Sequence, residues 1–224
     1  MSYITYQMFD HDMWAVTLSA PCYHPEAASM ELVAGLHRFP STKRRIQFEM
    51  MRTYDNMGRQ HIPGMHTSTD DVPTIILYDC CVSHYNELRT QLLASPKGPD
   101  WLLESISDDH CQKQAMLVAK TLFLLPPAGI RAWNIARAIY YIRCCLLLDR
   151  EAPQTAMAKI LGIAKNAQQL YNSWEEYITA FAVGEQFTSK NPDVRMSESR
   201  IDELSQLMIS NKSAARFLPW NLQL

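Results

Sequence analysis

Asn134, Arg137 and Tyr141 stand at i, i+3 and i+7 of one predicted helix, a spacing that puts an amide, a guanidinium and a phenol on one face. Arg143, in the same helix, falls instead among Ala136, Ile139 and Leu147 on the apolar side. A buried guanidinium without a partner costs several kcal/mol, so Arg143 must snorkel to water or pair with a carboxylate from another helix. Glu175, Glu176 and Glu185 are the nearest carboxylates by topology. The first reading of such an arginine is a core ion pair that fixes helix packing. Ligand binding is the second and catalysis the third.

The remaining chemistry-bearing groups have plainer readings. His61, His66, Asp70 and Asp71 carry metal-ligand chemistry in one segment, but a polar solvated loop explains them. Cys80-Cys81-x-x-His84 offers thiols and an imidazole to one helix face, where cysteines more often act as small buried hydrophobes. There is no H-E-x-x-H and no paired C-x-x-C, so no metal and no cofactor are expected. In Asp108-Asp109-His110, an N-cap at Ser107 or Asp108 is a better reading than an acid/base pair. No G-x-S-x-G or known cysteine context marks a nucleophile, so no residue is assigned as catalytic.

The elements that position these groups are helices. Met13–Ala20 reads as a short helix stopped by Pro21, Pro25–Arg38 as a second, and Thr42–Asn56, capped by Ser41, as a third. Gly58–Val72 reads as a loop. Thr74–Ala94 keeps the helical stripe Leu77, Cys81, His84, Leu88, Leu92, although Thr74–Tyr78 is equally compatible with a strand. Ser95–Asp100 is a turn, and Asp109–Leu125 a helix ended by Pro126-Pro127. Ile130–Leu148 is apolar around well over half its circumference, which predicts a central, largely buried helix. Pro153 or Gln154 opens a helix to Leu170. Ser173-Trp174-Glu175-Glu176 matches the capping box S-x-x-E and opens Trp174–Phe187, with Ser173 accepting from the Glu176 N–H and Glu176 reaching back to the Ser173 N–H. Glu198–Ser210 is the last helix, and Phe217-Leu218-Pro219-Trp220 an apolar tail. The expected fold is therefore all-α: a single compact multi-helix domain over residues 1–224, built around the helix near 130–148.

Bulk properties exclude several classes. The 224 residues are 47% hydrophobic, enough to bury a sizeable core, and carry a net charge of −2. Lys43-Arg44-Arg45 is the one basic cluster, without interleaved aromatic residues, so neither nucleic acid nor an anionic membrane is an expected partner. Only 7 glycines are present, and neither G-x-G-x-x-G nor a P-loop motif occurs. The apolar run Met116–Ile130 is interrupted by Lys120, Pro126 and Pro127, too short to span a bilayer. Met1–Asp12 lacks an apolar signal core. The six cysteines include two vicinal pairs, ill suited to disulfides, so a cytoplasmic setting with reduced thiols is expected.

Ala132-Trp133-Asn134-Ile135-Ala136-Arg137-Ala138 with Arg143, then Tyr171-Asn172-Ser173-Trp174-Glu175-Glu176-Tyr177, then Gly184-Glu185-Gln186-Phe187, resembles the bacterial domain of unknown function family 1266, typified by enterobacterial cytoplasmic proteins. Residues 132–187 are the specific part. The likeness extends to Trp14-Ala15-x-x-Leu18 and to Leu218-Pro219-Trp220. The family has Asp where this chain has Asn134, and a Gly-Tyr-Ile turn where this chain has Leu147-Leu148-Asp149. An acid or base at that position in relatives has no counterpart in Asn134. The resemblance implies a fold and a bacterial cytoplasmic setting, and no activity.

Two functions follow as expectations. The first is a non-enzymatic protein-binding module, such as a regulator, adaptor or toxin-neutralising immunity-type protein. Its binding residues would be Asn134, Arg137, Tyr141, Arg143, Trp174 and Glu175, its partner another protein, and its mark an exposed apolar or charged patch. The alternative is a hydrolase or transferase with Asn134, Arg137, Arg143 and Glu175 converging in a concave pocket.

Overall fold

The computed structural model describes residues 9–22, 80–95 and 99–224. The helices expected over 25–38 and 42–56, the loop over 58–72, the stretch 74–78 left open between helix and strand, and with them Lys43, Arg44, Arg45, His61, His66, Asp70, Asp71 and Leu77, lie outside the described residues. Among the described residues every element is helical: α1 (Asp10–Thr17), a 3-10 turn (Ala20–Cys22), α2 (Cys80–Ala94), α3 (Pro99–Ser105), α4 (Asp109–Thr121), α5 (Arg131–Leu147), α6 (Pro153–Leu170), α7 (Trp174–Phe187), α8 (Glu198–Ile209) and α9 (Ala214–Phe217). The all-α fold is as expected from the sequence.

Helix α5 is the centre. It contains neither glycine nor proline, and 12 of its 17 residues are buried. Ala132, Ile135, Ala136, Ile139, Ile142 and Leu146 join the main core with α1, α6 and α7. Ala138, Tyr141, Cys144 and Cys145 form a second cluster on the other side, against Leu148 and Ile163. Its N-cap, Ile130, has no side-chain acceptor to offer. A distant phenol supplies one: the Ala132 N–H donates to the Tyr171 hydroxyl at 2.8 Å, which donates to the Gly129 carbonyl at 3.1 Å. Gly129 sits at φ +57°, where an added Cβ would lie 2.9 Å from the Asn86 side chain and 3.0 Å from the Tyr85 ring. Helix α7 approaches α5 closely enough that a Cβ on Gly184 would stand 2.5 Å from the Trp133 Cβ.

Three tryptophans clasp the C-terminal segment onto α1. Ring centroids of Trp14, Trp174 and Trp220 lie 4.9–5.0 Å apart in every pairing. Each indole N–H has a carbonyl acceptor: Trp14 to Pro219 at 3.0 Å, Trp174 to Leu218 at 2.7 Å, Trp220 to Tyr171 at 2.8 Å. Tyr177 packs edge-on to Trp174 and donates to the Leu18 carbonyl at 2.8 Å.

Several boundaries differ from the sequence expectation, each for a local reason. The α1 helix stops at Thr17, and Pro21 lies within the 3-10 turn that follows. Pro99-Asp100 opens α3 rather than closing a turn, since proline suits the first helical position. Helix α4 ends at Thr121, four residues early, because Arg89 takes up the carbonyls beyond it. Part of the apolar tail is α9, with Phe217 outside and Leu218 in the core.

Candidate functional site

Two places bring polar or apolar groups together in ways the core does not require. The first is a junction of arginines around residues 19–22. Arg143 is only 2% exposed, and its Nη1 donates to Ser19 Oγ at 3.1 Å. Arg200 of α8 grips Glu185 of α7 bidentately at 2.9 and 3.1 Å, reaches Glu203 at 2.8 Å, and donates to the Pro21 carbonyl at 2.7 Å. Cys22, half-buried, feels the charges of Arg137, Glu185, Arg200 and Arg143. Burial outweighs the three cations and pushes its thiol up to about 12. At neutral pH it is therefore a protonated thiol rather than a nucleophile. Beside the junction, Glu185, Gln186, Lys190, Val194, Met196 and Arg200 edge an open depression of about 320 Å³.

The carboxylates expected for Arg143 are engaged elsewhere. Glu185 belongs to Arg200. Glu176 accepts from the backbone N–H of Asn172 at 2.5 Å, one residue before the Ser173 N–H expected of the capping box, while Ser173 accepts from Glu176 as expected. Glu175 is exposed in the first turn of α7.

The six expected binding residues occupy different places. Nine positions at about 100° each put Asn134 and Arg143 on opposite sides of α5. Asn134 and Tyr141 instead share a stripe with Ala138 and Cys145 in the second cluster. Burial, with Cys145 adding to it, lifts the Tyr141 phenol to about 12. Asn134 is fully buried, and among the described residues neither its amide oxygen nor its nitrogen has a hydrogen-bond partner. Arg137 lies 5.4 Å from the Trp133 ring centroid and, with Arg143, within electrostatic reach of Cys22. Trp174 belongs to the tryptophan clasp. Arg137 and Arg143 thus share the neighbourhood of Cys22, Asn134 and Tyr141 share the opposite stripe, and Trp174 and Glu175 lie on α7.

Other motifs settle into structural roles. Asp108 caps α4, accepting from the Cys111 N–H at 2.7 Å, a bond that holds its carboxyl below the ordinary range. His84 meets Gln114 at 3.2 Å and packs on Phe187. Cys80 is exposed and Cys81 half-buried, so only the pair Cys144-Cys145 behaves as buried hydrophobes. Among the described residues no three His, Cys, Asp or Glu side chains gather as metal ligands, and no helix is long and apolar enough to cross a membrane.

The second place is the corner after α4. Arg89 on α2 donates to the carbonyls of Pro126, Leu122 and Leu125 at 2.6, 3.2 and 3.0 Å. One guanidinium thus closes the helix end that Pro126-Pro127 cannot continue. The clamped turn holds Phe123 outward at 87% exposure and Leu124 at 67%. Helices α2 and α4 run the same way, with His84 beside Gln114, Tyr85 beside Thr121 and Arg89 beside Leu122. Exposed Leu93, one turn beyond Arg89, therefore lies toward the same end. From His110 to Leu148 the chain has Lys113, Lys120, Arg131, Arg137 and Arg143 and no Asp or Glu.

Residues 82–220 match the family model described as Protein of unknown function (DUF1266). The chain belongs to this family. No curated protein and no solved structure matches it. The DUF1266 match takes in the arginine partners Glu185 and Arg200, two of the three clasp tryptophans and the whole Arg89 corner.

Sequence reasoning missed Ser19, Arg89 and Arg200. Arg200 and Glu203 at i and i+3 were a usable signal for a helical ion pair. The Pro126-Pro127 stop was another, since it leaves carbonyls that some donor must satisfy. Nothing local pointed to Ser19, which lies 124 positions from Arg143.

Proposed function

We propose that this DUF1266 protein is a non-enzymatic protein-binding module, a regulator, adaptor or immunity-type protein working as one domain in the bacterial cytoplasm. The observation that carries this reading is the Phe123-Leu124 corner, where two large apolar side chains stand 87% and 67% exposed on a turn fixed by three hydrogen bonds. Covering such side chains gains about 1.5–3 kcal/mol each, and a rigid turn loses little entropy on binding. Rigid aromatic anchors of this kind dominate protein interfaces.

The test is affinity capture from the native host with the wild-type chain and with a Phe123→Asp/Leu124→Asp double variant. A stoichiometric partner should be held by the wild type and lost, by about 100-fold in affinity, by the variant at unchanged melting temperature. Equal capture by both chains would remove the corner as the binding surface. A turnover abolished by Arg137→Ala in a folded chain would overturn the non-enzymatic reading.

A further inference from the structure

The start of α5 gathers polar atoms that the fold leaves unused. Arg131 and Asn134 stand three positions apart in its first two turns, neighbours on one face. Asn134 is fully buried, and among the described residues its amide oxygen and nitrogen have no hydrogen-bond partner. Arg131 is half-buried, yet its Nε is shielded from solvent and finds no acceptor among them either. Helical side chains lean toward the N-terminus, so the Asn134 amide leans back over the Arg131 turn. The Trp133 indole N–H is a third unused donor, but it lies about 100° around the helix from Asn134, where Trp133 meets Phe181 of α7.

Charge at this end is one-sided. The first turn holds Arg131 and no acid, the N-cap Ile130 has no side-chain acceptor, and a helix N-terminus is itself positive. Glu176, which together with Arg131 acts on the Tyr171 phenol, already accepts from the backbone N–H and the side-chain amide of Asn172. The backbone donors of the turn are satisfied: Arg131 donates to Ala128, Ala132 to Tyr171 and Trp133 to Ile130. Recognition is left to the side chains, which offer N–H donors from Arg131 and Asn134 and one amide oxygen as acceptor.

We propose that Arg131 and Asn134 bind a small 2-hydroxycarboxylate. Its carboxylate takes the Arg131 Nε–H and an Asn134 Nδ2–H, and its hydroxyl donates to Asn134 Oδ1. Each unused group then has a partner of the right kind, and the anion meets both a cation and the positive end of α5. A buried amide left unpaired is costly to the fold, and binding offsets that cost. An amide that is 0% exposed admits a small molecule rather than the surface of a macromolecule. Arg131, only half-buried, gives the approach from solvent. The site is independent of the Phe123-Leu124 surface.

The test is NMR titration of the isotope-labelled full chain with sodium glycolate, sodium acetate and sodium chloride, at matched ionic strength and up to about 100 mM, a range suited to anions this small. The readouts are the Arg131 Nε–H signal, identified with Arg131→Lys, and the Asn134 side-chain amide signals, identified with Asn134→Leu. Glycolate should shift both saturably. Acetate, which has no donor for Oδ1, should bind about 10-fold more weakly, and chloride should shift neither. Asn134→Leu should keep its helical circular dichroism and no longer tell glycolate from acetate at Arg131. Asn134→Asp, whose own carboxylate pairs with Arg131, should lose the glycolate response. No saturable shift with glycolate, equal binding of glycolate and acetate by the wild type, or a wild-type response in Asn134→Asp would each overturn the inference.

Discussion

The tryptophan clasp and the arginine junction both fasten residues 9–22 to the C-terminal half, by opposite physics. In the clasp, Trp14, Trp174 and Trp220 bury apolar rings and give each N–H a neutral carbonyl acceptor. At the junction, Arg200 spends its donors on two carboxylates and the Pro21 carbonyl at a site 21% exposed. Burial of rings is insensitive to salt, whereas a part-exposed ion pair is screened. Helix α1 is thus fastened by ring burial, and the 3-10 turn by the charged donors of Arg200.

The largest expected effect breaks the clasp. Trp174→Ala should cost about 3–5 kcal/mol in urea unfolding, and that cost should be the same at low and high salt. A loss below about 1 kcal/mol would show that the clasp holds little. Next, Arg200→Ala should cost about 1–2 kcal/mol at low salt, shrinking as salt rises. A cost independent of salt would make the junction a packing contact like its counterpart.

Asn134, outside both fastenings, is a buried amide to which the described residues offer no partner. Asn134→Leu should therefore stabilise the fold by about 1 kcal/mol, seen as a higher melting temperature. Destabilisation would mean that the amide has a use.

The smallest effect at neutral pH concerns the thiols and phenols. Cys22, Cys145 and Tyr141 have folded-state values near 12, 11 and 12, above ordinary values of 9.0, 9.0 and 10.0. The unfolded chain gives up these protons first as pH rises. Their contribution is thus fully present below pH 9 and is lost progressively as pH climbs toward 12. Unfolding free energy should be flat from pH 7 to 8.5 and fall above 9. A fall beginning below pH 8 would contradict these positions.

Much of the fold was legible because helix signals are local. Ser173, Pro153 and the apolar wheel of α5 each report on neighbours within four residues, and the observed ends of α5, α6, α7 and α8 lie within a residue of expectation. The site was less legible because facing is not pairing. The wheel correctly put Arg143 on the apolar side of α5, yet an acceptor for it, Ser19, comes from the turn after α1, 124 positions away. Phe123 and Leu124 continue an apolar run, so periodicity made them helix interior. Only Arg89, 33 positions before Leu122, turns that run outward. Pro99 resembles turn punctuation because proline both ends and begins helices, and local sequence does not separate the two uses.

The clasp also fixes the order in which the molecule can be completed. Trp14 bonds to Pro219, 205 positions away, so α1 leaves the ribosome first among the described helices and acquires its ring partners last. At about 5–20 residues per second, that separation amounts to roughly 10–40 s during which Trp14 has neither Trp220 nor the Pro219 carbonyl. Helices α5, α6 and α7 can assemble meanwhile from local contacts. The ring set around Trp14 therefore closes only after residues 219 and 220 have been made.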